Sequence, residues 1–119
     1  MRDFILTESA TLVCPHGGVV MHIPSTVTSY RVDGQPPLLL MDNYIVTGCA
    51  NNIAGLSVPC FRVLWSSPST MLYIKGNPAL LHTSHGICEA TLGIVNGIAI
   101  PISFQTSVRE PDEFTHIQD

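Results

Sequence analysis

Charged side chains are scarce in this sequence. Of its 119 residues, 12% are Asp, Glu, Lys or Arg, whereas about a quarter is usual in a globular domain. The five basic residues (Arg2, Arg31, Arg62, Lys75 and Arg109) are scattered, and the formal net charge is −4. Phosphate backbones and anionic lipid surfaces are bound by clustered positive charge. The composition therefore disfavours nucleic acid and a membrane surface as partners.

Long apolar runs are also missing. No stretch approaches the roughly 18 apolar residues that a transmembrane helix needs. The apolar run at residues 4–6 is too short to be the core of a secretion signal. We therefore expect no stable membrane insertion and an initial location in the cytoplasm. In that compartment the four cysteines are more often thiols or metal-bound thiolates than disulfides.

Helical periodicity is a third absence. No window has the 3.6-residue apolar period of an amphipathic helix with a cap at each end. Nine glycines and nine prolines instead divide the chain into short β-rich pieces, and Asn96-Gly97 is typical of a hairpin turn. The sequence predicts an all-β domain of many short strands over residues 1–108, with at most a helical turn near residues 51–56 or 78–82. The polar, acidic tail at residues 109–119 is expected to be poorly ordered or docked on a partner.

Two β-rich stretches, residues 38–41 and 98–102, are apolar at successive positions rather than at alternate ones. A strand with one solvated face alternates between apolar and polar side chains. These strands are therefore either buried on both sides or covered by another protein on one side. We predict that the partner contacts are Leu38, Leu39, Leu40, Ile98, Ile100 and Ile102. The alternative for each of them is a core position.

The sequence lacks the motifs of the common enzyme classes. It has no GxSxG, HExxH, P-loop or GxGxxG pattern. Asp42 and Glu89 are the acidic residues near the cysteines and histidines that could support a thiol nucleophile. We therefore expect a non-enzymatic protein. The alternative is a small metal- or thiol-dependent enzyme that uses the CPH or HTSHGIC segment.

Cysteine and histidine carry most of the reactive chemistry in the chain. The four cysteines lie at turns, and His16, His82 and His85 are close to them in sequence. Zinc is held in proteins by four such ligands in a tetrahedron. The spacing is not that of a zinc finger or ribbon, because no CxxC pair occurs. The alternative is that the cysteines are small buried hydrophobic residues.

The order of several short motifs resembles that of the PAAR-like proteins, which tip the spikes of contractile injection systems. The matching pieces are ATLVCPHGG (residues 10–18), TGCANN (47–52), VPC (58–60) and MLYIKGNPALLHTSHGICEATLGIVNGIAI (71–100). The resemblance covers about residues 9–104. The Pro-Ala-Ala-Arg tetrapeptide of the parent family is absent, and GNPAL at residues 76–80 is nearest to it.

The resemblance implies a short conical β-structure. Its pseudo-threefold base would dock on the blunt end of a trimeric spike protein of the valine-glycine-repeat type, and its narrow end would meet the target envelope. It also implies a zinc ion, or sometimes iron, held by His and Cys near the narrow end. Such a protein is assembled in the cytoplasm and then carried at the tip of an exported or extracellular particle, with effector or cargo as a further partner.

Within this interpretation, two sets of metal ligands remain open. The first set takes one cysteine from each turn-rich segment: Cys14, Cys49, Cys60 and Cys88. The second set is His82, His85 and Cys88, completed by Cys14 or His16. It needs a turn at residues 84–86, because residues three apart in an extended strand point to opposite faces. A small cytosolic zinc domain that binds an unrelated protein would share either set.

Overall fold

The all-β prediction is confirmed. The computed structural model describes residues 3–25, 27–50, 52–53, 55–57, 59–90 and 94–118, and within these ranges it contains strands and turns but no helix. The strands are β1 (Thr11–Val13), β2 (Val19–Ile23), β3 (Asn43–Thr47), β4 (Asn52–Ile53), β5 (Leu56–Ser57), β6 (Arg62–Ser66), β7 (Leu72–Ile74), β8 (Asn77–Pro78), β9 (His85–Glu89), β10 (Val95–Ser103) and β11 (Thr115–Ile117).

The helical turns expected near residues 51–56 or 78–82 are not found in the described residues. β4 and β5 pair with each other as an antiparallel hairpin. Pro78 belongs to β8, and Ala79 and Leu81 form β-bridges with Leu39 and Ile5. Residues 51 and 54 lie outside the described residues, and His82 belongs to the turn that follows Leu81.

Six strands close into an antiparallel barrel in the order β1-β10-β9-β6-β3-β2. Side chains alternate across each strand, and the inward ones, such as Leu12, Tyr44, Val46, Val63 and Cys88, form the barrel core. The barrel consists of three hairpins that follow one another along the chain: hairpin 1 (β1–β2), hairpin 2 (β3–β6) and hairpin 3 (β9–β10).

The three hairpins are arranged with approximate threefold symmetry. Leu6, Leu38 and Leu80 hydrogen-bond to one another in a cycle at the end of the barrel where β1, β3 and β9 begin. The N–H of Leu6 donates to the carbonyl of Leu80 (2.9 Å), that of Leu80 to Leu38 (2.8 Å), and that of Leu38 to Leu6 (2.9 Å). β1, β3 and β9 each begin five residues after one of these leucines. The same unit of leucine followed by hairpin therefore occurs three times.

A second core lies on the other side of the three leucines. It contains Ile5, Val32, Leu39, Leu72, Ile74, Ala79 and Leu81, with a three-stranded sheet in the order β11-β7-β8. We call this part the base, and the opposite end of the barrel, where the turns of hairpins 1 and 2 lie, the turn end. The molecule is elongated, with principal extents of 49 × 24 × 21 Å.

The C-terminal tail contributes to the base. Thr115–Ile117 form β11, which pairs in parallel with β7, and the N–H of Glu110 donates to the carbonyl of Asp3 at 2.8 Å. The expectation of a tail that is poorly ordered or docked on a partner is therefore wrong for these residues. Ile117 packs on the apolar residues of the base, which explains why the segment is held by its own chain.

The predicted partner contacts divide into two groups. Leu38 and Leu39 are buried, one in the barrel core and the other in the base core, and Leu40 packs partly buried against the barrel core. Their assignment as a partner surface is wrong. Residues 38–39 lie between the two cores, so apolar side chains are needed on both sides of the chain. Ile98, Ile100 and Ile102 point outward from β10 and are 56%, 49% and 63% exposed.

Candidate metal centre

The turn of hairpin 1 supplies two potential ligands, Cys14 and His16. The N–H of Cys14 donates to the carbonyl of Gly18 (2.9 Å), and the N–H of Gly17 donates back to the carbonyl of Cys14 (3.2 Å). Gly17 has a φ of +88°, which the tight turn requires and which glycine adopts without strain. The turn therefore folds the chain back so that the side chains of Cys14 and His16 lie on the same side.

Gly18 allows the close packing of this turn. A Cβ atom at this position would lie 2.6 Å from Cγ1 of Val46 and 2.9 Å from Sγ of Cys14. Its N–H donates to Sγ of Cys14 at 3.2 Å. Backbone N–H bonds of this kind stabilise a thiolate, and thiolate is the form of cysteine that binds metals.

The long connection of hairpin 2 supplies the other two ligands, Cys49 and Cys60. Cys49 lies two residues after β3, and Cys60 lies two residues before β6. The N–H of Ala50 donates to the carbonyl of His16 at 3.1 Å, which joins the two connections beside the cluster. The β4–β5 hairpin lies between the two cysteines in the sequence, so Cys49 and Cys60 flank it.

These four side chains come together at the turn end. Their ligand atoms, three sulfurs and one imidazole nitrogen, all lie within 4.8 Å of one another. Cys14 and Cys60 are buried, and Cys49 and His16 are partly buried. In a tetrahedral zinc site with Zn–S bonds of about 2.3 Å, the ligand atoms are roughly 3.8 Å apart. A bound ion would thus draw the four atoms slightly inward.

The state of His16 fits a metal ligand. Its Nδ1 atom is buried and has no hydrogen-bond partner among the described residues. A buried imidazole nitrogen without a partner is unfavourable by about 1–3 kcal/mol, and coordination to a metal would satisfy it. The structure therefore has a Cys₃His cluster that can hold a metal ion.

Cys88 lies behind the cluster rather than in it. It is an inward-facing residue of β9 in the barrel core, with no exposed surface. Burial, followed by the nearby thiols of Cys60 and Cys14 and a hydrogen bond with Cys60, raises the pKa of Cys88 to about 12. The structure thus unites Cys14, Cys49 and Cys60 from the first predicted set, with His16 in place of Cys88.

The second predicted set is not assembled. His82 lies at the base, where its Nδ1 accepts a hydrogen bond from the N–H of Phe4 (3.0 Å) and its ring stacks on Phe104 at 5.1 Å. His85 opens β9 and is exposed next to Ser67. The turn required at residues 84–86 does not form, because residues 85–89 are a regular strand. The HTSHGIC segment therefore extends from the base towards the turn end.

A polar cluster that the sequence did not reveal joins hairpins 1 and 2 near the base. His22 of β2 contacts Asp42 through Nε2 (2.5 Å) and Glu8 through Nδ1 (3.1 Å). The hydroxyl of Ser25 also donates to Asp42 at 2.7 Å. Burial acts to raise the pKa of Asp42, but the hydrogen bonds from His22 and from Ser25 hold it below its usual value. Tyr44 and the indole of Trp65 pack next to this cluster.

Comparisons with known proteins leave the chain without an assigned family. No protein-family model, curated protein or solved structure matches it. In the part of the chain that the structure describes, no helix has the length and apolar character to cross a membrane.

Proposed function

We propose that this protein is the non-enzymatic tip of a contractile injection spike, where it caps a trimeric spike protein and pierces the target envelope. The observation that carries the proposal is the position of the Cys₃His cluster. It lies at the turn end of an approximately threefold barrel, where the connections of hairpins 1 and 2 meet. The ordered motifs in the sequence support the same function.

The cluster is suited to a structural metal. A site with four protein ligands is closed, whereas catalytic zinc sites keep one position for water or substrate. The four donors occupy every position of a tetrahedron, and zinc is the ion that fits three sulfurs and one imidazole best; iron is the second choice. Cys88 has no exposed surface, which argues against a Cys88 nucleophile, because reactive cysteines are partly accessible.

The metal part of the proposal is tested by elemental analysis of protein purified without added metal. We expect near one zinc or iron ion per chain, with the thiols of Cys14, Cys49 and Cys60 titrating only after a chelator is added. Protein without bound metal, in which a chelator does not change the thiol titration, would refute the metal centre. A metal content that survives in a Cys49→Ser variant would refute this ligand set.

The docking part of the proposal concerns a trimeric partner. Three successive hairpins, each beginning from one leucine of the hydrogen-bonded cycle, give the protein the symmetry of a trimer. The outward side chains of Ile98, Ile100 and Ile102 are exposed and uncharged, as expected for a surface that another protein covers. We propose that these residues belong to the contact with the spike protein.

Co-expression with a trimeric valine-glycine-repeat spike protein tests the docking. The expected complex contains one copy of this chain for three spike subunits. Ile100→Asp should remove the complex while leaving the fold intact, and Thr47→Asp, an exposed position on β3, is the matched control. Failure of the wild-type chain to bind any such spike would refute the tip function without affecting the metal centre.

A further inference from the structure

Strand pairing in hairpin 2 is incomplete. β3 pairs over five residues with β2, and β6 pairs over five residues with β9. Among the described residues, β3 and β6 pair with each other only at Ile45 and Arg62, next to the hydrogen bond from the Val46 N–H to the Phe61 carbonyl. β6 continues beyond this pair to Ser66. The edge of β6 over residues 64–66 therefore lacks a neighbouring strand on the side of β3.

A groove with a volume of about 500 Å³ follows this gap. Inward-facing side chains, including Tyr44, Val63 and Trp65, form its floor, and outward-facing ones, including Ile45 and Leu64, form its rims. Ile45 and Leu64 are exposed, and the polar residues Asp42, Asn43 and Arg62 also line the groove. The groove thus combines mostly apolar side chains with a few polar ones, as ligand sites commonly do.

The floor also contains a donor without an acceptor. The indole Nε1 of Trp65 is buried and has no hydrogen-bond partner among the described residues. The neighbouring Tyr44 is satisfied, since its hydroxyl donates to the carbonyl of Leu39 at 2.6 Å. An unpaired strand edge favours an occupant that supplies backbone N–H and carbonyl groups. Because the two strands meet at one pair only, the rims can separate slightly to admit it.

We propose that this groove binds an extended peptide segment of a partner protein, which pairs with the free edge of β6. An unpaired edge accepts a strand through backbone hydrogen bonds, and alternate side chains of that strand fill pockets. Here the inward side chains of the peptide would be apolar and would contact Tyr44 and Trp65. The proposal depends neither on the metal nor on the spike protein.

Trp65 makes the test direct, because it is the only tryptophan in the chain. The probe is the capped, tryptophan-free peptide acetyl-Val-Thr-Val-Thr-Val-amide, titrated into the metal-loaded protein while the Trp65 emission is recorded. We expect a saturable change in emission. An analogue with N-methyl groups on all backbone nitrogens keeps the side chains but cannot donate the strand hydrogen bonds, so it should bind about tenfold more weakly or not at all.

Two variants locate the binding site. Leu64→Asp, at a rim residue that is 45% exposed, should abolish the response, whereas Val95→Asp, at a residue that is 62% exposed outside the groove, should keep it. Amide shifts of the wild-type protein, confined to β3 and β6, give a readout that needs no variant. The proposal is refuted by an absent response, by equal binding of the N-methylated peptide, or by a groove that binds only a small apolar dye.

Discussion

Hairpins 1 and 2 differ from hairpin 3 in the way that their strands are held together. Among the described residues, β1 pairs with β2 only at Val13 and Val19, and β3 pairs with β6 only at Ile45 and Arg62. β9 and β10 pair at four positions. All four residues of the Cys₃His cluster come from the connections of the two poorly paired hairpins. The Cys₃His cluster therefore lies where the two hairpins with the shortest strand pairing meet.

The same two hairpins are tied together again near the base. There the polar cluster of His22, Asp42 and Ser25 links β2 to the residue before β3. Hairpins 1 and 2 thus meet in the Cys₃His cluster at one end and in this polar cluster at the other, while hairpin 3 is joined to hairpin 2 by strand pairing and by the Arg62–Glu89 ion pair. Each prediction below tests one of these links.

Removal of the metal should have the largest effect. Because Cys49 and Cys60 hold both ends of the connection in hairpin 2, Cys60→Ser or a chelator should lower the free energy of unfolding by about 3 kcal/mol or more. Hydrogen exchange should become faster in β1–β3 and β6 well before it does in β9 and β10. The exposed β4–β5 hairpin should become a protease site. Equal acceleration in all three hairpins would show that the metal stabilises the barrel as a whole.

Gly18→Ala should have the next largest effect. The new Cβ atom would collide with Val46 and with Sγ of Cys14, so we expect a loss of about 3 kcal/mol and weaker metal binding. Gly48→Ala is the matched control. Its Cβ would meet open space at a φ of +78°, and backbone strain alone should lower the stability by about 1 kcal/mol. Urea unfolding and competition with a zinc chelator measure the two quantities, and equal losses in both variants would contradict the packing argument.

The hydrogen bonds of Asp42 near the base predict that the free energy of unfolding depends on pH. Because the pKa of Asp42 is lowered in the folded protein, its ionised form stabilises the fold above the unfolded pKa of about 3.9. This contribution is lost as the pH falls through the lower, folded pKa. Asp42→Asn should lower stability at pH 7 by about 2 kcal/mol.

The pH test compares the two proteins rather than following one of them, because acid also releases metal from thiolates. The difference in unfolding free energy between wild type and Asp42→Asn that is present at pH 7 should shrink below pH 4. A difference that is the same at pH 3 as at pH 7 would show that the charge of Asp42 is not what stabilises this end.

The sequence predicted the class of the fold better than its symmetry. Short apolar pieces separated by Gly and Pro indicate strands, and the strands are there. The pseudo-threefold arrangement was expected only from the family resemblance, because the segments between Leu6, Leu38 and Leu80 differ in length and give no fixed period in the sequence. Leu38 and Leu39 were misassigned for a related reason. A strand between two cores and a strand between core and partner have the same apolar pattern.

The metal cluster was also predicted in part. Four cysteines near turns were enough to predict a centre, and three of them meet. The fourth member of the cluster is His16 and not Cys88. This depends on the conformation of the CPHGG turn, which directs the imidazole back towards Cys49. Strand periodicity gives no information about side-chain direction inside such a turn. The link between His22 and Asp42 joins residues 20 positions apart and has no local sequence signal.

Cys88→Ala should have the smallest effect and tests the choice of ligands. Cys88 belongs to hairpin 3 and contacts the cluster from the barrel core, so its removal should leave one metal per chain. The small cavity should lower the free energy of unfolding by about 1 kcal/mol. Cys60→Ala is the paired variant, and it should lose the metal. If Cys88→Ala also lost its metal while hydrogen exchange in hairpin 3 became faster, all three hairpins would be bound to the ion. The contrast between hairpin 3 and the other two would then lie in strand pairing alone.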